Sequence, residues 1–487
     1  MLISIIYFCT RINKYFVTDR GDFFFIQNKI GEIMESKFKE LFQFEGKVPT
    51  KEAFPLALQH VIAMIAGCVA PALIFAQAAG LSHEDSIIIV QMALIGSALT
   101  TFIMLYPIGI LGSRLPVIYG VSFAYIPTMI ALCSQFETAG PTGIVAVVLG
   151  SQLIGALVSV IFGLALKYIT PFFPPLVSGT VVLAIGLTLY PVALTNIGGA
   201  GSVTAPGWGA WQYWLVGIIT LLVNVGLNHF GKGITKLSSV LFAMVVGYVI
   251  AFFFDMVDLS PVKDAGWISV AAPMHFGLKF DISAIISFVI IFMVTCIEGI
   301  GDMSSTTIGG MDRSPTADEL RGGIVGFGVA NIIGSFIGCL PTATFSQNAG
   351  IVSVNKVINR RVFFQAGLII LIAGFMPKLS SLLTTIPAPV VGGATLSVFA
   401  AITMNGIRMI TEQPLTVRNT SIVGISIAIG FGFTTIVATA DQAGVNFMPE
   451  ALKNAIGVSP VVLAAITSIL MNIVIPETEA DKKRIYN

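Results

Sequence analysis

Two polar interruptions in otherwise apolar sequence carry the side chains that could do chemistry. One is Thr344-Phe345-Ser346-Gln347-Asn348-Ala349-Gly350; the other, a few dozen residues earlier, is Cys296-Ile297-Glu298-Gly299-Ile300-Gly301-Asp302. Glu298 and Asp302 are four residues apart, which places them on one face of a helix, a turn apart. A carboxyl held away from water favours its neutral form. Either one could therefore take up a proton together with a ligand, or donate a hydrogen bond to it. Gln347 and Asn348 offer amides with both donors and acceptors, a match for a flat ligand whose edge alternates N–H and C=O. The plainer alternatives are carboxyls that cap or bridge helices, and amides that satisfy the backbone freed at a helix break.

Further candidates are sparser. Gly120-Val121-Ser122-Phe123-Ala124-Tyr125 offers Phe123 as an aromatic face for a planar ring, although packing is the commoner use of phenylalanine in so apolar a chain. Gln59-His60 is a polar pair inside the first apolar stretch, and a lone histidine there often serves only a helix–helix hydrogen bond. No Gly-x-x-x-x-Gly-Lys-Ser/Thr loop occurs, so ATP-driven chemistry has no sequence support. Neither His-Glu-x-x-His nor Gly-x-Ser-x-Gly is present. Cys9, Cys68, Cys133, Cys296 and Cys339 form no Cys-x-x-Cys pair, so no metal site, cofactor or disulfide framework is expected. The net charge of +1 gives no basic patch for nucleic acid.

The elements that must position these groups are written for a bilayer. Hydrophobic residues make up 55% of the chain and charged ones 10%, with a mean hydropathy of +0.90. A soluble domain carries about a quarter charged residues, so the chain is too poor in charge to cover a wet surface. Apolar runs long enough to span predict segments at about 54–76, 86–106, 117–132, 142–165, 174–194, 211–230 and 237–256. A second series follows at about 283–303, 322–339, 341–354, 361–384, 389–407, 419–438 and 457–475. The reading is an all-α polytopic membrane protein of about fourteen segments in two sets of seven.

The third and tenth segments are short and rich in Gly, Pro and polar groups, and both open with Leu-Pro, at Leu115-Pro116 and Leu340-Pro341. Pro175-Leu176-Val177-Ser178-Gly179 likewise matches Pro389-Val390-Val391-Gly392-Gly393. Interrupted segments at corresponding places in two halves point to a transporter's binding site, and intramembrane ionisable groups point the same way. Lys and Arg collect in the loops that are cytoplasmic if the N-terminus is inside, from Arg114 and Lys167 to Arg408 and Arg418. Both termini are then cytoplasmic, and an odd number of spans per half inverts the second repeat. The expected divisions are a tail over 1–50, repeats over 51–260 and 261–476, and a tail over 477–487. Residues before Met34 look unlike the rest of the chain, and Met34 is the expected biological start.

These motifs together resemble the nucleobase–ascorbate transporters, which include bacterial xanthine, uric acid and uracil permeases. That family's signature is Gln/Glu/Pro-Asn-x-Gly, four variable positions, then Thr/Ser and Arg/Lys/Gly; here it reads Gln347-Asn348-Ala349-Gly350 onward. Gln59-His60, Ser122-Phe123-Ala124 and Glu298-Gly299-x-Gly301-Asp302 match further landmarks in order. The resemblance implies core and gate domains, with short extended strands in segments 3 and 10. It implies that Glu298 and Gln347 hold the base, with Phe123 and Ser346 completing the site. Asp302, His60, Asn348 and Gln59 would couple or support. Gln347 and Asp302, in place of the Glu and His usual in uracil members, favour an oxidised purine such as xanthine or uric acid.

Two positions depart from the family pattern: Asn355 replaces the closing Thr/Ser, and Phe327 stands where purine members commonly carry a carboxylate. Phe327 cannot take a proton, which shifts that burden onto Glu298, Asp302 and His60. The expectation is a secondary active importer in the cell membrane, the inner membrane in a bacterium, driven by protons or, in their place, sodium, and working as a homodimer. A pyrimidine permease of the same family, a small-anion exchanger and a membrane-embedded enzyme are the rival readings.

Overall fold

The computed structural model describes residues 40–169, 174–200, 202–269, 272–445, 447–449, 453 and 459–478. The expected start at Met34 and the basic C-terminal tail lie outside the described residues. The first half holds α1 (Thr50–Ala79), α2 (His83–Leu105), β1 (Tyr119–Val121), α3 (Ile126–Gln135), α4 (Pro141–Leu164), α5 (Pro175–Ile197), α6 (Trp211–Phe230) and α7 (Ser239–Phe253). The second holds α8 (Ile282–Met311), α9 (Ala317–Ile337), β2 (Thr342–Thr344), α10 (Ser346–Asn355), α11 (Arg360–Gly374), α12 (Pro377–Thr384), α13 (Ala388–Ile410), α14 (Val417–Gln442) and α15 (Pro460–Val474).

Each predicted segment thus contains a helix. Among the described residues nine helices are long and apolar enough to cross a membrane alone, and α11 with α12, bent by 81°, makes a tenth. The remainder are shorter, and α3 and α10 are half-helices preceded by strands. The chain is a multi-pass membrane protein built as an inverted repeat.

Local chemistry sets the helix ends. Ser82 caps α2 by accepting from Asp85 N, and Asp281 caps α8 by accepting from Ser283 N and Ala284 N. Thr316 and Glu319 form a reciprocal capping box at the start of α9. The helix α10 is different: its N-cap is Phe345, which supplies no side-chain acceptor. Asn348 N turns back to Phe345 O, leaving the N–H groups of Ser346 and Gln347 without a capping side chain.

The strands β1 and β2 pair antiparallel, with Gly120 opposite Ala343 and Tyr119 opposite Thr344. Phe345 N donates to Ile118 O and Ser122 N to Pro341 O, which extends the pairing past both strand ends. Close approach is possible because of glycine. A Cβ on Gly120 would run into the Phe345 ring and the Cys68 sulfur, and one on Gly67 would lie 2.6 Å from the same ring. Phe345 is therefore clasped between α1 and β1, which fixes the chain at the entrance to α10.

The helices pack in two groups. Helices α1–α4 and α8–α12 surround the strand pair as a core, while α5–α7 and α13–α15 pack mainly on one another as a gate. The seam between α5 and α13 is lined with small residues: a Cβ on Gly179 would sit 2.8 Å from Gly406 O, and one on Gly392 2.6 Å from Ala193 O. Such residues let helices approach closely where water supplies no driving force. On the outer faces, Leu222, Val225, Ile429 and Ile436 are exposed, as a lipid-facing surface requires.

Candidate functional site

Core and gate face one another across a cavity of about 70 Å³. The core supplies Ser122, Phe123 and Ala124 from the joint of β1 and α3, Thr344 to Gln347 from the joint of β2 and α10, and Glu298 from α8. The gate supplies only apolar side chains, Val182 and Ile185 of α5 and Val398 and Ile402 of α13. Phe123, 7% exposed, also meets the gate directly, its ring 5.2 Å from that of Phe399 and nearly perpendicular to it.

Four of the predicted residues, Glu298, Gln347, Phe123 and Ser346, line this one space. Ser346 and Gln347 are exposed to it and Glu298 is half-buried. Among the described residues neither the Glu298 carboxyl nor the Gln347 amide has a protein hydrogen-bond partner. The uncapped first turn of α10 opens at the same place.

Asp302, one turn from Glu298, is spent on the protein. Its Oδ2 accepts from the Thr344 hydroxyl at 2.5 Å and its Oδ1 from the Ser346 hydroxyl at 2.8 Å. It thereby ties α8 to the end of β2 and the start of α10. His60 and Asn348 meet behind the cavity, with Asn348 Nδ2 3.0 Å from His60 Nδ1. His60 is wholly buried and packs its ring against Phe363 at 4.7 Å. Gln59, beside it on α1, is half-buried and does not line the cavity.

Both departures from the family pattern have local explanations. Asn355 Oδ1 accepts from Val357 N at 3.0 Å, a turn bond that a Ser or Thr hydroxyl can also make. Lys356 follows with φ 58°, the left-handed conformation that glycine takes readily, and its ammonium is 2.7 Å from Asp312. Phe327 is buried against Phe292, ring centroids 5.7 Å apart, and does not reach the cavity. A carboxylate placed there would lie in the packed core.

Sequence reasoning missed Thr344 as a site residue, although it opens the polar interruption, lines the cavity and bonds Asp302 through its hydroxyl. It also missed the gate residues, which nothing distinguishes from any other valine, isoleucine or phenylalanine.

A family model described as "Permease family", for Xan_ur_permease, matches residues 51–439. The chain belongs to that family, the nucleobase–ascorbate transporters. The permease is 31% identical to the xanthine permease XanQ of Escherichia coli (strain K12), over 90% of this chain and 94% of the relative. It is 32% identical to the nucleobase transporter PlUacP of Paenibacillus larvae, over 86% and 93%. Among solved structures, the permease resembles the transmembrane domain of the cyanobacterial bicarbonate transporter BicA, with a TM-score of 0.57 at 15% identity, over 86% of this chain and 97% of that one. That likeness is one of fold. A permease of this family is a transporter and not an enzyme.

Proposed function

We propose that this permease imports a nucleobase, an oxidised purine such as xanthine or uric acid, together with a proton and by alternating access. The observation that carries the reading is the pairing of Glu298 and Gln347 across one cavity, both without protein partners among the described residues. A carboxyl holds one edge of a planar base through its N–H or carbonyl, and an amide reads the other edge with one donor and one acceptor. Phe123 lies against the ring, and the first turn of α10 offers backbone N–H groups to its carbonyl oxygens. The position of the cavity, between a polar core wall and an apolar gate wall, suits a ligand that stays on the core while the gate moves past it. The names of XanQ and PlUacP support the substrate class.

In this reading the protein sits in the inner membrane of a bacterium with both termini in the cytoplasm, where the Lys/Arg-rich loops lie. An anion exchanger on the same fold is disfavoured, because Glu298 faces the ligand with a like charge whenever it is ionised.

Uptake of labelled xanthine, uric acid, guanine, hypoxanthine and uracil into cells without their own permeases tests the proposal. Saturable uptake of an oxidised purine, abolished by a protonophore and indifferent to sodium, is the expected result. Within that panel, Gln347→Glu should weaken purine uptake about tenfold, the cost of one ligand hydrogen bond. Residual activity should move toward uracil, because the ionised side chain only accepts. An unchanged order of preference would remove Gln347 from base recognition.

A further inference from the structure

A two-stranded sheet has two open edges, and at membrane depth every unpaired N–H or C=O on them is costly. On the β1 edge, Tyr119 N donates to the Thr101 hydroxyl of α2 at 3.1 Å. On the β2 edge a single side chain replaces a third strand. Asn331 of α9, 1% exposed, accepts from Thr342 N through Oδ1 at 2.8 Å and donates through Nδ2 to Thr342 O at 3.2 Å. A primary amide presents its donor and acceptor side by side, as the backbone of a neighbouring strand would.

Asn331 is itself held. Its Nδ2 also donates to Phe327 O at 3.0 Å, and Gln152 of α4 donates to Asn331 O at 3.1 Å. The Thr342 hydroxyl meets that of Thr100 on α2 at 3.2 Å. Thr342 is thus fastened from α9 and α2 at a point two residues ahead of Thr344, which bonds Asp302 and lines the cavity. Asn331 does not line the cavity, so it acts on the site only through β2.

We infer that Asn331 is a positioning residue for the base site: by pairing with both polar groups of Thr342 it holds β2 in register, and so sets where Thr344, Ser346 and Gln347 stand relative to Phe123. The inference rests on the nucleobase reading given above. Register is what is at stake, because side chains alternate along a strand and a slip of one residue would turn Thr344 away from the cavity.

The test compares full-length Asn331→Leu, close in size but without polar atoms, with the milder Asn331→Ser, whose hydroxyl reaches only one of the two partners. Concentration-dependent uptake of the five bases is measured alongside membrane abundance. Asn331→Leu should raise KM for the preferred base about tenfold, as the loss of roughly 1.4 kcal/mol of binding would, and should compress the preference ratios between bases. Asn331→Ser should fall between it and the wild type. Neither KM nor the ratios depend on how many copies reach the membrane, so a merely destabilised protein would keep wild-type values. Unchanged KM and ratios in a variant that does reach the membrane would overturn the proposal. Failure of both variants to reach the membrane would overturn it too, by making Asn331 a folding residue. If the wild-type protein takes up none of the five bases, the nucleobase reading fails instead. Asn331 is then judged by maleimide alkylation of Ser346→Cys, which faces the cavity: a several-fold change in rate on adding Asn331→Ser supports the inference, and an unchanged rate overturns it.

Discussion

Replacing Glu298 by Gln should abolish accumulation of base against a gradient while the protein remains in the membrane. Glu298 lines the cavity and, among the described residues, has no other protein group to bond. Gln keeps the shape of the side chain, so packing around α8 is little disturbed. It cannot bind and release a proton, and it exchanges a charged ligand bond for a neutral one. Hydrogen bonds to charged groups are worth about 1.5–3 kcal/mol, so base affinity should fall by roughly ten- to a hundredfold on the scale of 1.4 kcal/mol per decade. The check is uptake and equilibrium binding in membranes of matched protein content. Normal accumulation in Glu298→Gln would rule the residue out both as coupling group and as essential ligand.

Asp302 should separate into two roles when it is replaced in two ways. Asp302→Ala removes the acceptor of both the Thr344 and the Ser346 hydroxyl. Each bond is to a carboxyl and worth up to about 3 kcal/mol, so the joint of β2 and α10 should loosen and base binding should be lost. Asp302→Asn keeps an acceptor for one hydroxyl and offers its amide N–H to the other, since hydroxyls both donate and accept. Binding and exchange of base should then survive within a few-fold, but proton-driven accumulation should collapse. Exchange of labelled for unlabelled base, measured beside accumulation, distinguishes the two. Full accumulation in Asp302→Asn would confine Asp302 to holding the joint and leave Glu298, or a different ion, as the carrier of coupling.

Much of this architecture is legible in the sequence because the bilayer restricts what a chain can do. Apolar runs of spanning length, the matched Leu-Pro openings and the polar interruptions located the helices, the two broken segments and the cavity wall built on them. Glu298 and Gln347 could be picked out because polar residues in apolar sequence are rare and demand a reason, whereas the resemblance to the family was needed to single out Phe123 and Ser346. Asp302 was visible as a carboxylate but not as a partner of Thr344 and Ser346, since that pairing depends on how far α8 and α10 overlap. Asn331 was invisible for the same reason: its meaning lies in the edge of a strand eleven residues on. The gate wall left no trace, because Val182, Ile185, Val398 and Ile402 match the lipid-facing side chains in kind. Phe327 is the opposite case, conspicuous by comparison with relatives although its ring lies in the packed core.

The apolar character of that gate wall bears on friction in the proposed mechanism. Under the proposed mechanism every hydrogen bond to the base comes from the core, while the gate wall presents only Val182, Ile185, Val398 and Ile402, with Phe399 packed against Phe123 beside them. In that mechanism, as core and gate slide, no polar contact to the cargo has to be broken and remade midway, and the ligand rides with the core. A base carrying an apolar substituent on that side would lose none of its polar contacts and would wedge against the slipway. Under the proposed mechanism such a compound should compete for the site and yet not be carried, which counting its radiolabel inside cells against its inhibition of uptake would reveal.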